Sequence, residues 1–172
     1  MAVGTLISVE EYLNTSYDPD VEYVDGVLVE RNVGDWFHST VQGNCYFALR
    51  SKYPGVYVRV ELCSQTTPTR YRLPDVCVVL TAAVPYLVDA AYIAIEVLSP
   101  DDKMSDVMEK LHEYASKGVP NIWLIDPRLR TIWVYVSGVL HEIRDERVAT
   151  AGEPRIELTR DEVFHDLPPL PD

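Results

Sequence analysis

The sequence predicts an α/β fold in which helices flank a mixed β-sheet. Two segments, residues 76–80 and 91–97, are apolar nearly throughout, which is typical of central strands covered on both faces. An amphipathic helix between Pro100 and Gly118 follows the second segment and leads to another apolar strand. This order fits a crossover connection between two neighbouring strands.

The chain has the size and composition of one ordinary globular domain, residues 1–172. It has 172 residues, of which 47% are hydrophobic and 24% are charged. These values exclude disorder, collagen and coiled coil as the main state. The 27 acidic residues outnumber the 15 basic ones, and the net charge is −12. Such a surface repels nucleic acid unless a local basic patch overrides it.

The N-terminal third contains signals for two helices and a hairpin. Ser8 and Glu11 have the spacing of a capping box and predict a short helix that ends near Asn14. Asp25-Gly26 lies between two apolar segments and predicts a hairpin. Apolar residues recur with a 3.6-residue period through residues 36–52, which predicts a long helix.

The remaining segments complete the sheet. Residues 56–62 alternate as a strand does, whereas residues 66–72 are polar and predict a loop or a frayed strand pair. Gly118 stands where a helix C-cap would. Three further segments then predict two strands and an antiparallel return: residues 122–125, 131–136 and 139–148. The tail, residues 155–172, predicts one short strand or helix before a Pro-rich end.

The sequence is that expected of a cytoplasmic protein without a membrane segment. Its apolar runs are far shorter than the roughly 20 residues that span a bilayer. The first residues lack the basic segment of a signal peptide. Cys45, Cys63 and Cys77 cannot all pair and form no CxxC motif, so we expect reduced thiols in the core.

Two carboxylates stand out against their apolar surroundings. Asp75 follows Leu73-Pro74 and opens one apolar strand, and Glu96 lies inside the next. An unpaired buried carboxylate costs several kcal/mol, so it protonates, pairs with a base or binds a metal. If the strands are neighbours, both carboxylates meet at one sheet edge, where they suit Mg²⁺. The alternatives are a turn residue for Asp75 and a structural ion pair for Glu96.

A series of short motifs resembles a known family. The series begins at Glu22-Tyr23-Val24-Asp25-Gly26 and continues through His38 to about Phe164. Its central motifs are Pro74-Asp75, Ile95-Glu96-Val97-Leu98-Ser99-Pro100, Glu109-Lys110-Leu111, Tyr114, Gly118-Val119-Pro120 and Trp123-Leu124-Ile125-Asp126-Pro127. In this order they resemble the Uma2 family of restriction endonuclease-like proteins, also called domain of unknown function 820. The resemblance covers residues 8–164, approximately.

The resemblance implies a restriction-endonuclease-like fold of the PD-(D/E)XK nuclease superfamily. A central mixed sheet would be flanked by helices, with an N-terminal hairpin and C-terminal antiparallel strands. Asp75 and Glu96 would hold Mg²⁺ or Mn²⁺. The residue two after Glu96 is Leu98 and not the lysine of the superfamily pattern. In the family the lysine comes from the following helix, and Lys110 is the matching position.

Four further residues are candidates for the site. Glu22 matches an acidic position of the family and would complete the metal shell, although a solvated strand-edge residue is an equal alternative. His38 would touch phosphate or act as an acid or base, unless it is a helix histidine at the core edge. Arg70 and Arg72, with Arg59, form the nearest approach to a basic patch. They would bind substrate only if their loop folds over the site.

The function expected from these residues is metal-dependent hydrolysis of phosphodiester bonds, with DNA as the favoured substrate. Two alternatives stay open: a non-catalytic binding or assembly module, and a metal-dependent hydrolase of smaller phosphate esters. A homodimer is a further expectation, because strand edges such as residues 131–136 could pair.

Overall fold

The structure is a computed structural model that describes residues 6–82 and 84–169. The described helices are α1 (Val9–Asn14), α2 (Trp36–Lys52), α3 (Met104–Lys117) and α4 (Arg160–Val163). The strands of the first half are β1 (Val21–Val24), β2 (Val27–Glu30), β3 (Tyr57–Val60), β4 (Ser64–Thr67), β5 (Arg70–Arg72) and β6 (Val76–Val79). Those of the second half are β7 (Ile93–Val97), β8 (Asn121–Asp126), β9 (Thr131–Val136), β10 (Val139–Ile143), β11 (Arg147–Ala149) and β12 (Glu157–Thr159).

The centre is a six-stranded mixed sheet in the order β10-β9-β8-β7-β6-β3. Strands β7 and β8 are parallel and are joined through α3, whereas the other neighbours are antiparallel. In β6, Val76 and Val78 pack into the core layer that contains α2. Cys77 and Val79 pack into the opposite layer with α3. Helices on both faces therefore explain why this strand is apolar at every position.

A second, four-stranded sheet in the order β2-β1-β5-β4 brings the N-terminal hairpin to the site. Strand β1 pairs with β5, with Tyr23 opposite Tyr71. The ring of Tyr12 on α1 stacks on Tyr23 with 5.1 Å between ring centroids. This aromatic cluster fixes the hairpin and, with it, the neighbouring Glu22 and Arg72.

Most predicted elements are confirmed. Helix α2 has the predicted bounds, Ser8 caps α1, and Gly118 ends α3 in the left-handed conformation. The polar segment 66–72 belongs to a strand pair, β4 and β5, and not to a loop. The first five residues and the last three, which include the end of the predicted Pro-rich tail, lie outside the described residues.

Three predictions about the second half were wrong. The antiparallel return of residues 139–148 stops at Ile143, because Arg147–Ala149 pairs with β12 in a separate two-stranded sheet. Strand β9 is not an edge, since β8 and β10 flank it and use its backbone groups. A dimer through residues 131–136 is therefore excluded by the pairing. The tail holds both a strand and a helix.

All three cysteines are free thiols among the described residues, with Cys45 and Cys77 buried and Cys63 partly buried. Within the same ranges every helix is too short or too polar to span a bilayer.

Gly118→Ala is expected to lower the free energy of unfolding by about 1 kcal/mol, because a Cβ is strained in the left-handed region. Gly118 has a φ of +98° and open space around a Cβ, so the loss would report the backbone alone. Urea denaturation measures it. Gly55→Ala is the matched control, because Gly55 has the same open space without a positive φ. Equal effects of the two substitutions would contradict the assignment to φ.

Candidate functional site

The carboxylates of Asp75 and Glu96 meet where β6 begins and β7 ends. The antiparallel register pairs Val76 with Ile95, so Asp75 and Glu96 are the next facing positions. Both line a cleft of about 440 Å³. Glu22, His38, Arg72 and Lys110 line the same cleft, whereas Arg70 does not. The fold therefore brings together residues from the hairpin, both long helices and the central sheet.

Asp75 is only 2% exposed and is held by three donors. Its Oδ1 accepts a hydrogen bond from Arg31 Nη2 at 2.8 Å and lies 3.3 Å from His38 Nε2. Its Oδ2 accepts from the backbone N–H of Val97 at 2.7 Å. Burial would raise the pKa of Asp75, but His38, Arg31 and the Val97 N–H together lower it below its usual value. Asp75 is therefore an ionised carboxylate.

Glu96 is the less stabilised of the two carboxylates. Its Oε1 accepts from the hydroxyl of Tyr114 at 2.7 Å, and Lys110 Nζ lies 3.8 Å from Oε2. The net pKa of Glu96 is raised to about 7: burial is the largest cause, Lys110 opposes it, and the nearby charge of Asp75 adds to the rise. A group that titrates near neutrality in a cleft is characteristic of functional sites.

Lys110 projects from α3 towards two carboxylates. Its Nζ lies 2.9 Å from Glu22 Oε1 and 3.8 Å from Glu96 Oε2. Burial would lower the pKa of Lys110, but Glu96 and Glu22 outweigh it and raise that pKa above its usual value. Lys110 is thus a permanent positive charge beside Glu96.

Glu22 is 1% exposed and its two oxygens are already occupied. Oε1 accepts from Lys110 and from the Leu73 N–H at 3.2 Å. Oε2 accepts from Arg72 Nη1 at 3.0 Å. The contacts of Glu22 are thus those of a residue that positions Lys110. The assignment of Glu22 as a metal ligand stays a prediction.

The two predicted substrate-binding arginines are engaged with carboxylates. Arg72 donates from Nε and Nη2 to the two oxygens of Glu113, at 3.0 and 2.6 Å, besides its bond to Glu22. Arg70 donates to Asp25, Glu109 and Glu113 at 2.6–2.8 Å. Substrate contact by either arginine would require these ion pairs to open.

His38 faces the cleft from the first turn of α2. Burial would lower the pKa of His38, but the contact with Asp75 outweighs it and the pKa is raised. Its Nδ1 is buried and has no hydrogen-bond partner among the described residues. The geometry makes His38 a partner of Asp75; its contact with phosphate stays a prediction.

The remaining cleft residues make the site strongly acidic. Its lining carboxylates are Glu22, Glu30, Asp75, Glu96, Asp101, Asp102, Asp106 and Glu109. Its lining cations at neutral pH are Arg31, Arg72, Lys103 and Lys110. This excess of negative charge attracts a divalent cation and repels a bare phosphate.

The carboxylate oxygens offer a cation a small set of ligands. No group of three or more His, Cys, Asp or Glu side chains is arranged as a metal site in the part of the chain that the structure describes. Asp75 and Glu96 supply the hard oxygen atoms that Mg²⁺ prefers, and Mg²⁺ commonly keeps waters beside one or two carboxylates. Glu96 Oε2, with Lys110 only at 3.8 Å, is the least engaged of these oxygens. The donor chemistry therefore fits one Mg²⁺ or Mn²⁺.

The sequence predicts no role for two side chains that contact the site carboxylates. Arg31 reaches Asp75 from the end of the hairpin, and no local pattern links residues 44 positions apart. Tyr114 stands among the motifs that resemble the family, without a predicted role, and its hydroxyl donates to Glu96 Oε1. Its position one helical turn after Lys110 was the available signal, because residues four apart share a helix face.

Glu96→Gln is expected to stabilise the metal-free protein at pH 8 by about 2–3 kcal/mol, and by about 1 kcal/mol or less at pH 5. Burial raises the pKa of Glu96 to about 7, above its ordinary value of 4.5. Between these values the unfolded chain loses its proton before the folded chain does, so stability falls as pH rises. Urea denaturation in EDTA at both pH values measures the difference. A stabilisation that is independent of pH would contradict this explanation.

Comparisons with known proteins agree with the fold. A family model named Uma2, described as "Putative restriction endonuclease", matches residues 9–163. A crystal structure described as a putative nuclease belonging to DUF820, from Anabaena variabilis ATCC 29413, is similar to the chain with a TM-score of 0.77 and 21% identity. The similarity covers 92% of this chain and 97% of that one. No curated protein matches the chain.

Proposed function

The chain belongs to the Uma2 family, and from this premise we propose that it is a Mg²⁺- or Mn²⁺-dependent endonuclease that hydrolyses phosphodiester bonds of DNA. The family description and the restriction-endonuclease-like fold support a nuclease-like function. The observation that carries the finer proposal is the meeting of Asp75, Glu96 and Lys110 in one acidic cleft.

Asp75 and Glu96 would hold the cation. When bound, it supplies a polarised phosphoryl oxygen and a water of lowered pKa. Arg31, His38 and the Val97 N–H keep Asp75 ionised and fixed in direction. Tyr114 orients Glu96 by donating to Oε1, which leaves Oε2 turned to Lys110. The two carboxylates are thus preorganised by different elements.

Lys110 supplies the fixed positive charge of the site. Its ammonium would donate to a phosphoryl oxygen or to the attacking water, and so offset charge that develops in the transition state. Glu22 holds Nζ from one side, and Arg72 and Leu73 hold Glu22 in turn. This support explains how a lysine on α3 can serve a site formed by β6 and β7.

One observation favours a non-catalytic binding module as the second candidate. Each predicted site carboxylate already has a cationic neighbour: Arg31 for Asp75, Lys110 for Glu96, and Arg72 with Lys110 for Glu22. Such a network can be stable without a cation and without turnover. Binding of nucleic acid with no cleavage under any metal condition would support this candidate.

Lys110→Met is expected to slow metal-dependent cleavage roughly 10²–10³-fold, because a preorganised positive charge at the transition state is lost. Cleavage of plasmid, single-stranded DNA and RNA is measured with Mg²⁺, Mn²⁺ or EDTA. Lys103→Met is the matched control, since Lys103 lines the same cleft without contacting Glu22 or Glu96 in the structure. We expect it to keep activity within about threefold.

The other outcomes separate the alternatives. Cleavage that persists in EDTA, or that is equal in the wild type and Lys110→Met, would contradict the proposal. Hydrolysis of a small phosphodiester such as bis(4-nitrophenyl) phosphate, without cleavage of any polynucleotide, would favour a hydrolase of smaller esters.

A further inference from the structure

Arg31 is held between two carboxylates, only one of which lines the cleft. Its Nη2 donates to Asp75 Oδ1 at 2.8 Å, and its Nη1 lies 3.1 Å from Glu61 Oε1. Arg31 and Asp75 line the cleft, whereas Glu61 does not. The guanidinium therefore divides its donors between the proposed metal ligand and a carboxylate outside the cleft.

Gln42 makes a second link between Asp75 and Glu61. From α2, its Nε2 donates to the backbone carbonyl of Asp75 at 3.1 Å and to Glu61 Oε1 at 3.3 Å. The Glu61 N–H also donates to the carbonyl of Pro74, the residue before Asp75, at 3.1 Å. Glu61 is thus tied to the start of β6 through both its side chain and its backbone.

The backbone of Glu61 lies in the left-handed region, with a φ of +50°. A side chain is strained there, so the backbone alone would favour glycine. The Glu61 side chain is 39% exposed, and ion pairs open to solvent stabilise a fold only slightly. Strained residues persist where the surrounding contacts hold them, and they cluster at functional sites. The strain therefore points to a use for the carboxylate, which is the group that glycine lacks.

We propose that Glu61 is a positioning residue that sets how Arg31 meets Asp75, and so keeps Asp75 open to the divalent cation. This role rests on the proposed function. With Glu61 in place, Nη1 of Arg31 is directed away from Asp75, and the guanidinium contacts Oδ1 through Nη2. Without Glu61, both Nη groups are free for the two-bond pair that arginine and carboxylate favour. That pair would compete with the cation for Asp75.

The charge of Glu61 acts in the same direction. In the structure the positive charge of Arg31 is balanced by Asp75 and Glu61 together. After loss of Glu61 the same charge would face Asp75 alone and would repel a cation at Asp75 more strongly. Both effects predict a lower affinity for the cation, although Glu61 is not a ligand.

Calorimetry of Mg²⁺ and Mn²⁺ binding to the full chain tests the proposal. Glu61→Gly should weaken the affinity at least about tenfold. Its urea midpoint in EDTA should stay within about 0.5 M of the wild-type value, because relief of the strained φ offsets the lost ion pair. A residue that only stabilises the fold would lower the midpoint and leave the affinity unchanged.

Two further variants test whether the carboxylate at this position is responsible. Glu61→Asp keeps a carboxylate on a residue type that tolerates a positive φ, and it should bind within about threefold of the wild type. Glu30→Gln is the control for charge, since Glu30 lines the cleft and makes no ion pair with Arg31 among the described residues. We expect its affinity within about threefold of the wild type as well. Equal losses in Glu61→Gly and Glu30→Gln would overturn the proposal.

A double-mutant cycle shows whether Glu61 acts through Arg31. In the Arg31→Met background, Glu61→Gly should change the affinity by less than about threefold, because the group that Glu61 positions is gone. A full tenfold loss in that background would overturn the proposal. Calorimetry needs no turnover, so a chain that binds Mg²⁺ without cleaving DNA still tests the role of Glu61. A wild type that binds neither cation would refute the metal site of the proposed function and this role with it.

Discussion

Asp75→Asn is expected to lower the rate of metal-dependent DNA cleavage roughly a thousandfold, which corresponds to about 4 kcal/mol of lost transition-state stabilisation. Asparagine keeps the shape of the side chain and an acceptor for the Val97 N–H. It removes the negative charge that would hold the cation and that Arg31 and His38 now surround. Affinity for Mg²⁺, measured by calorimetry, should fall together with the rate.

Asp101→Asn is the matched control for this prediction. Asp101 lines the same cleft, so its substitution removes one charge from the same field. Because Asp101 makes none of the contacts of Asp75, we expect the rate of DNA cleavage by Asp101→Asn to stay within about threefold of the wild-type rate. Equal losses in both variants would indicate that the general field of the cleft, and not a ligand at Asp75, governs the rate.

The fold could be predicted largely because burial is encoded in local patterns. Helix α2 and strand β9 have the bounds that the sequence predicts, since their side chains have clear periodicity or clear turn residues at the ends. The separate pairing of β11 with β12 could not be predicted in this way. This pairing depends on which strand the C-terminal segment contacts, and no local sequence pattern indicates that contact.

The candidate site was predictable where a carboxylate lies at the start of an apolar strand or within one. Asp75 and Glu96 were found on that ground, and the structure places them in one cleft. The role of Lys110 came from the family resemblance alone, because a lysine on an amphipathic helix is ordinary. Arg31 and Glu113 could not be predicted because their partners, Asp75 and Arg72, lie 44 and 41 residues away in the sequence.

Arg72→Met is expected to lower the free energy of unfolding by about 3–5 kcal/mol, the usual cost of breaking a buried ion pair from one side. Arg72 is 4% exposed and donates to both Glu22 and Glu113. Methionine fills much of its volume but leaves two buried carboxylates with fewer donors. Lys110 continues to hold Glu22, and Thr66 and Arg70 continue to hold Glu113. These remaining contacts keep the loss from being larger.

The pH dependence separates a charge effect from a packing effect. Burial would raise the pKa of Glu113, but the hydrogen bond and charge of Arg72, together with hydrogen bonds from Thr66 and Arg70, outweigh it and the pKa is lowered. A lowered pKa means that this stabilisation is present above the unfolded value of 4.5 and is lost as pH falls through the folded value. The difference in the free energy of unfolding between the wild type and Arg72→Met, measured by urea denaturation, should therefore shrink towards acid pH.

Arg147→Met is the control, because it breaks the exposed pair with Glu157. It should lower the free energy of unfolding by about 0–1 kcal/mol. A loss for Arg72→Met as small as that control, or one unchanged at acid pH, would show that the network around Glu22 and Glu113 does not hold this side of the site together.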